Sequence, residues 1–190
     1  MEIFEEDIRG ALQVLRTGGL ILYPTDTIWG IGCDATDEAA VKRVYALKQR
    51  SESKSLVVLL ADVRDLLHYV ANPRPDIATL IDEFTRPTTV IYEGALGLAP
   101  NVINEDGSIA IRIVKDPFCR HLIKRWRKPL VSTSANLSGT PSPARFTDIA
   151  PEIIQGVDYV VKHRQEEAAG ATASRIIRIG KDGSVAIIRD

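Results

Sequence analysis

Lys48, Arg50 and Lys54 bring three cations together in the stretch LKQRSESKS (47–55). Cations so spaced either decorate a solvated helix end or grip an anionic substrate. The first reading has a physical basis, because the unpaired carbonyls of a helix C-terminus favour positive charge. The residues upstream bear on the second. Val41, Val44 and Tyr45 fall at i, i+3 and i+4 of a helical stripe, and Lys48 is i+7 of the same stripe. Lys48 therefore continues the inward face, with its stem against apolar neighbours and its ammonium pointing into a cleft, which favours the anion grip over the solvated end. Arg50 lies past the helix end, where Ser51, Glu52 and Ser53 turn the chain towards the next strand.

Two other stretches offer chemistry. YPTDTIWGIG (23–32) places Pro, two Thr and two Gly after a strand end, a backbone that a ligand can approach closely. It contains neither GxGxxG nor GxxxxGK[ST], so it is not a standard nucleotide loop. The alternative is a turn in which Asp26 and the threonines bond their own backbone. STSANLSGTPS (132–142) offers Ser132, Ser134, Ser142, Asn136 and Gly139. Hydroxyls and backbone N–H groups in such a loop can cradle a phosphate or a ribose. A polar connection is the alternative. Ser134 has no GxSxG elbow and no nearby His, so a nucleophilic serine is not expected. Arg112, beside small Ala110, and Arg189, at the end of the last strand, each reach a cleft or form an edge salt bridge.

The elements that must position these residues alternate along the chain. Ile8, Ala11, Leu12 and Leu15 predict a helix over 4–17, stopped by Gly18-Gly19. LILY (20–23) reads as a strand, 37–48 as a helix capped by Thr36 or Asp37, and SLVVLL (55–60) as a strand. Asp62 caps a helix through VRDLLHYV, and another runs from NPRP to about Phe84. TTVIYE (88–93) and SIAIRIV (108–114) are strands. In the second, Ile109, Ile111 and Ile113 share one face, and Ser108, Ala110 and Arg112 the other. Asp116-Pro117 opens a helix to near Trp126. PLVSTSAN, VDYVV, SRIIRI and SVAIIRD supply further strands, the last two joined by GKDG as a closing hairpin. The expectation is one α/β domain over 1–190, with a mixed, largely β core and flanking helices.

Composition narrows the function classes. A net charge of −1 argues against broad, sequence-blind binding of nucleic acid, though not against a local basic patch. Hydrophobic residues make up 45% and charged residues 26%, so a packed core is expected and disorder is not. LVVLLA (56–61) is too short to span a bilayer, and the acidic start MEIFEEDIRG is not a secretory signal, so no membrane association is expected. Cys33 and Cys119 stand apart without CxxC spacing, which fits a reducing cytoplasm and neither a disulfide framework nor a zinc site. His68, His121 and His163 are scattered, leaving an imidazole metal cluster little to draw on.

In order along the chain, YPTDTIWGIGCDA, the KxR of Lys48-Gln49-Arg50, SIAIRIV, the SxN of Ser134-Ala135-Asn136, SGTPSP and the final IIRD resemble the YrdC-like family, the threonylcarbamoyl-AMP synthases. The resemblance covers about residues 8–189. It implies a twisted α/β, YrdC-like (RibB-type) fold with a large, positively lined central cavity. It also implies a nucleotidyltransferase that makes threonylcarbamoyl-AMP and pyrophosphate from ATP, L-threonine and bicarbonate or CO2. The product feeds threonylcarbamoylation of the tRNA adenosine next to the anticodon, with tRNA or the transfer machinery as a partner. By resemblance, Lys48 and Arg50 bind the phosphates and the carbamate. Thr27, Arg112 and Ser174 hold threonine. Lys54, Ser108, Ser132, Ser134, Asn136, Ser142 and Arg189, with Arg50, match nucleotide-side positions. Mg²⁺ is expected, held mainly by the ATP phosphates rather than by protein ligands.

Three departures from the family pattern stand out: Arg86 where Gly is expected, Val114 in place of Pro, and Arg175 and Arg178 in place of Thr and Asp. They keep two alternatives in view, a paralogue with a related adenylate-forming reaction or weak activity, and a module that binds double-stranded RNA or tRNA. The small share of aromatics, 6%, leaves the second little for base stacking. The extra C-terminal domain of longer relatives is not expected here.

Overall fold

The computed structural model describes residues 4–51, 55–167, 172–180 and 182–190. Fifteen principal elements follow in order. They are α1 (Glu5–Arg16), β1 (Ile21–Tyr23), β2 (Gly30–Gly32), α2 (Glu38–Lys48), β3 (Val57–Leu60), α3 (Leu66–Tyr69), α4 (Ile77–Asp82) and β4 (Thr88–Tyr92). After them come β5 (Ile109–Ile113), α5 (Pro117–Trp126), β6 (Leu130–Ser134), α6 (Pro151–Gly156), β7 (Tyr159–Val160), β8 (Arg175–Ile179) and β9 (Val185–Arg189). The strands join one sheet in the order β7-β1-β2-β6-β3-β5-β4-β8-β9. Pairs β1–β7, β3–β5 and β4–β8 are parallel and the rest antiparallel, so the sheet is mixed, as expected.

Period-2 alternation divides the strands between two cores. Leu22, Ile31, Val58, Leu60, Ile109, Ile111 and Val131 pack with Val41, Val44 and Tyr45 of α2. Ile21, Tyr23, Leu59 and Leu130 pack on the opposite face with Ile8, Leu12 and Leu15 of α1 and Phe118, Leu122 and Ile123 of α5. The α1–α5 face changes character at β5. Leu59 pairs in register with Arg112, and Val57 lies between Ala110 and Ser132, so a small and polar row succeeds the apolar one. The predicted caps are present: Asp37 accepts from the backbone N–H of Ala39 and Ala40, and Asp116 from that of Cys119.

Three local features go beyond the expectations. The turn expected within 23–32 closes a hairpin, since β2 pairs antiparallel with β1 through Tyr23 and Gly30. Gly-Ile-Gly has little strand propensity, and close packing is what requires glycine there: a Cβ on Gly32 would meet the Tyr23 ring at 2.6 Å and the Val131 carbonyl at 2.9 Å. The helix expected after Asp62 begins as a 3-10 turn (Val63–Asp65) before the single turn of α3. Helix α6, entered through Pro151, was not anticipated. Among the described residues, no helix is long and apolar enough to cross a membrane.

Candidate active site

Where the polar row crosses the sheet lies a cavity of about 470 Å³. It gathers Thr27, Arg50, Arg112, Ser132, Ser134, Ser142, Ser174 and Arg189 from segments far apart in sequence. Ile28, Val57, Ile91, Ile176 and Ile188 supply an apolar wall. Among the described lining residues there are three arginines and no carboxylate. Such a space concentrates positive potential and hydrogen-bond donors on an anion.

The KxR spacing has a backbone cause. Lys48 is the last residue of α2, and Gln49 adopts the left-handed conformation at φ 51°. The Arg50 N–H donates to the Tyr45 carbonyl (2.9 Å) and the Gln49 N–H to that of Ala46 (3.1 Å), the pairing of a Schellman motif. The reversal at Gln49 separates its neighbours, so Lys48 enters the core and Arg50 the cavity. Arg50 Nη2 donates to the Ser55 carbonyl (2.9 Å), and its buried Nε has no hydrogen-bond partner among the described residues. Burial pulls the Arg50 pKa down from its ordinary value.

Lys48 is fully buried and is not among the described cavity-lining residues. Its ammonium is engaged by the 134–136 segment: Nζ donates to the Asn136 carbonyl (2.7 Å), to Asn136 Oδ1 (3.2 Å) and to the Ser134 carbonyl. The Ser138 N–H returns a bond to the Lys48 carbonyl (2.8 Å). Burial, and then the nearby Arg50, lowers the Lys48 pKa to about 7. Asn136 likewise does not line the cavity. Its amide joins Lys48 to the Thr140 carbonyl, to which Nδ2 donates at 2.5 Å. The two signatures therefore meet, and they meet as a clamp that shapes the cavity wall.

Thr25 organises the opposite side. It accepts from the Thr27 N–H (3.1 Å) and donates to the Ile28 carbonyl (2.7 Å). Self-bonding of this turn and exposure of Thr27 to the cavity thus occur together. Arg112, 4% exposed, donates from Nη2 to Thr27 Oγ1 (3.3 Å) and forms an ion pair with Asp26 Oδ1 (3.0 Å). Ser174 lies 2.8 Å, hydroxyl to hydroxyl, from Thr89. Arg189 donates twice to the Ser174 carbonyl (2.7 and 3.1 Å), and burial, then Arg112, lowers its pKa.

Ser108 is also absent from the described cavity lining. It is buried behind Asn104, whose Nδ2 donates to Ser108 Oγ (3.0 Å) and whose Oδ1 accepts from Ser55 (2.6 Å). Asn104 and Ser55 line the cavity instead; Asn104 belongs to no recognisable short motif, and Ser55 closes the stretch 47–55. Lys54 lies outside the described residues. The unusual residues are absorbed structurally. Arg86 pairs with Asp190 and is not in the left-handed region, so its backbone does not require glycine. Val114 packs with α1 and α5. Arg175 lies over the Phe84 ring at 5.5 Å, and Arg178 faces Asp106 at 3.4 Å.

The fold is a mixed-sheet α/β domain whose cavity is lined by arginines and hydroxyls, with no carboxylate among the described lining residues, a donor set suited to an anion. The family model for Sua5, YciO and YrdC, described as "Telomere recombination", matches residues 13–190, and the chain belongs to this family. It is 34% identical over 184 residues to a protein of Stenotrophomonas maltophilia (strain K279a) named threonylcarbamoyl-AMP synthase, covering 95% of this chain and 97% of that one. P. abyssi Sua5 complexed with L-threonine superposes with a TM-score of 0.84 at 25% identity, covering 97% of this chain. The chain spans 54% of the length of that protein. E. coli YciO superposes at 0.81 with 22% identity, covering 97% of this chain and 89% of that one, which speaks to the fold.

Proposed function

We propose that the chain is an L-threonylcarbamoyladenylate synthase, joining L-threonine, bicarbonate or CO2 and ATP and releasing pyrophosphate. The observation that carries this reading is the cavity itself, with three arginines, several hydroxyls and no carboxylate among its described lining residues. The full-length likeness to proteins named threonylcarbamoyl-AMP synthase supports it.

The chemistry needs no protein nucleophile. The threonine amine adds to the carbon of CO2 and loses a proton, giving a carbamate. A carbamate oxygen then attacks the α-phosphorus, the bond from that phosphorus to the bridging oxygen breaks, and pyrophosphate leaves with the electron pair. Catalysis on this scheme is positioning and charge stabilisation. Arg112, with Thr27 and Ser174, holds the amino acid. Arg50 and Arg189 face the phosphates, and Ser132, Ser134 and Ser142 offer hydroxyls to the nucleotide. Lys48 and Asn136 act through the wall they hold in shape. Mg²⁺ arriving on ATP fits this donor set, because Mg²⁺ bound to nucleotide phosphates needs few protein ligands, and it would offset triphosphate charge. The product would pass to the tRNA-modifying machinery in the cytoplasm.

The test is threonine-dependent pyrophosphate release from ATP in bicarbonate buffer. Nucleotide binding without that turnover would instead indicate a paralogue with different chemistry. Salt-sensitive RNA binding without nucleotide binding would indicate a binding module.

A further inference from the structure

Asp26 belongs to no expected site, yet its carboxylate is 3.0 Å from Arg112 Nη2, with side-chain exposures of 13% and 5%. Among the described residues, Asp26 Oδ1 accepts no well-formed hydrogen bond, so the ion pair is what offsets the burial of this oxygen. Arg112 Nη2 also donates to Thr27 Oγ1, while the buried Nε has no hydrogen-bond partner among the described residues. Asp26 does not line the cavity that Arg112 lines. The carboxylate therefore approaches the guanidinium from outside the ligand space.

We propose that Asp26 is a positioning residue that fixes the Arg112 guanidinium where it lines the cavity, setting its orientation before a ligand carboxylate arrives. An arginine on a strand has four side-chain torsions to settle, and a buried partner on one edge removes most of that freedom before the ligand arrives. The pair also leaves this end of the cavity close to neutral, so that, among the described residues, the cavity arginines without an ion pair are Arg50 and Arg189. That division suits an amino acid at one end and a triphosphate at the other. The ligand assignment rests on the functional reading above; the orientation of Arg112 does not.

The experiment compares the full-length chain with Asp26→Ala, Asp26→Asn and Asp26→Glu, using two readouts. The first is the Arg112 side-chain Nε–H resonance, identified by its loss in Arg112→Lys. It is sharp in the wild type and in Asp26→Glu, and broadened in Asp26→Ala. The second is steady-state kinetics: Asp26→Ala raises KM for threonine about tenfold and leaves KM for ATP within about twofold, with Asp26→Glu recovering most of the loss. A folded Asp26→Ala with an unchanged Nε–H signal and unchanged threonine KM overturns the proposal. If Asp26→Ala does not fold, isosteric Asp26→Asn decides by the same readouts. A wild type without threonine turnover would sink the functional reading, and the resonance alone would still decide whether Asp26 positions Arg112.

Discussion

The Lys48 ammonium lies 2.7 Å from the backbone carbonyl of Asn136, eighty-eight residues further along the chain. The two signatures that look like separate ligand-binding stretches are thus one contact. Lys48→Met keeps an apolar stem and leaves the Ser134 and Asn136 acceptors without their donor. It should lower the unfolding free energy by about 2 kcal/mol or more, measured by urea denaturation. Turnover should fall as well, because the wall bearing Ser134 loses its anchor.

The same lysine sets a pH dependence. Its pKa is about 7 in the folded protein and 10.5 when unperturbed. Between these values the unfolded chain holds a proton that the folded chain has released. Unfolding free energy therefore rises with pH in that window, by at most about 1.4 kcal/mol per pH unit. The stability of the wild type relative to Lys48→Met should be flat below pH 7 and climb from pH 7 to 9. A flat difference throughout would mean that the three acceptors hold the ammonium charged.

Arg50→Ala should behave differently. Arg50 donates to the Ser55 carbonyl but stands outside the core, so stability should change by about 1 kcal/mol or less. Threonine-dependent pyrophosphate release should drop by about a hundredfold or more, as for loss of a group that stabilises developing charge. Wild-type turnover in this variant would remove Arg50 from the reaction.

Arg86→Gly restores the residue that the family pattern leads one to expect. Arg86 pairs with Asp190 at the surface, with side-chain exposures of 46% and 73%. Exposed pairs contribute little, so stability should stay within about 1 kcal/mol and turnover should stay at the wild-type level. A large gain in activity would show that this departure from the pattern had altered the site after all.

Much of the fold was legible because its signals are local. The α1 stripe, the Asp37 and Asp116 caps and the alternation in β5 each depend on neighbouring residues, and each appears as read. Strand β2 was hidden because its glycines answer to the Tyr23 ring and the Val131 carbonyl, which only the paired strands bring near. The arrangement was legible where a side chain follows from its strand face, as with Arg112 beside Ala110. It was not legible where a long-range contact decides. The Lys48 stripe correctly implied burial, but the acceptors awaiting its ammonium belong to another segment. Asn104 lines the cavity and Ser108 does not, because the 104–108 turn presents the amide and buries the hydroxyl behind it.

The strand order has a consequence for synthesis of the protein. Strands β8 and β9, made after the other described strands, pair beside β4, and they bring Ser174 and Arg189 to a cavity that also takes Thr27. A nascent chain released before these two strands can bury most of the α1–α5 core while lacking one wall of the cavity. The complete cavity would then form only after these two strands emerge, and a fragment that stops before them would not compete for substrate with a chain that has them.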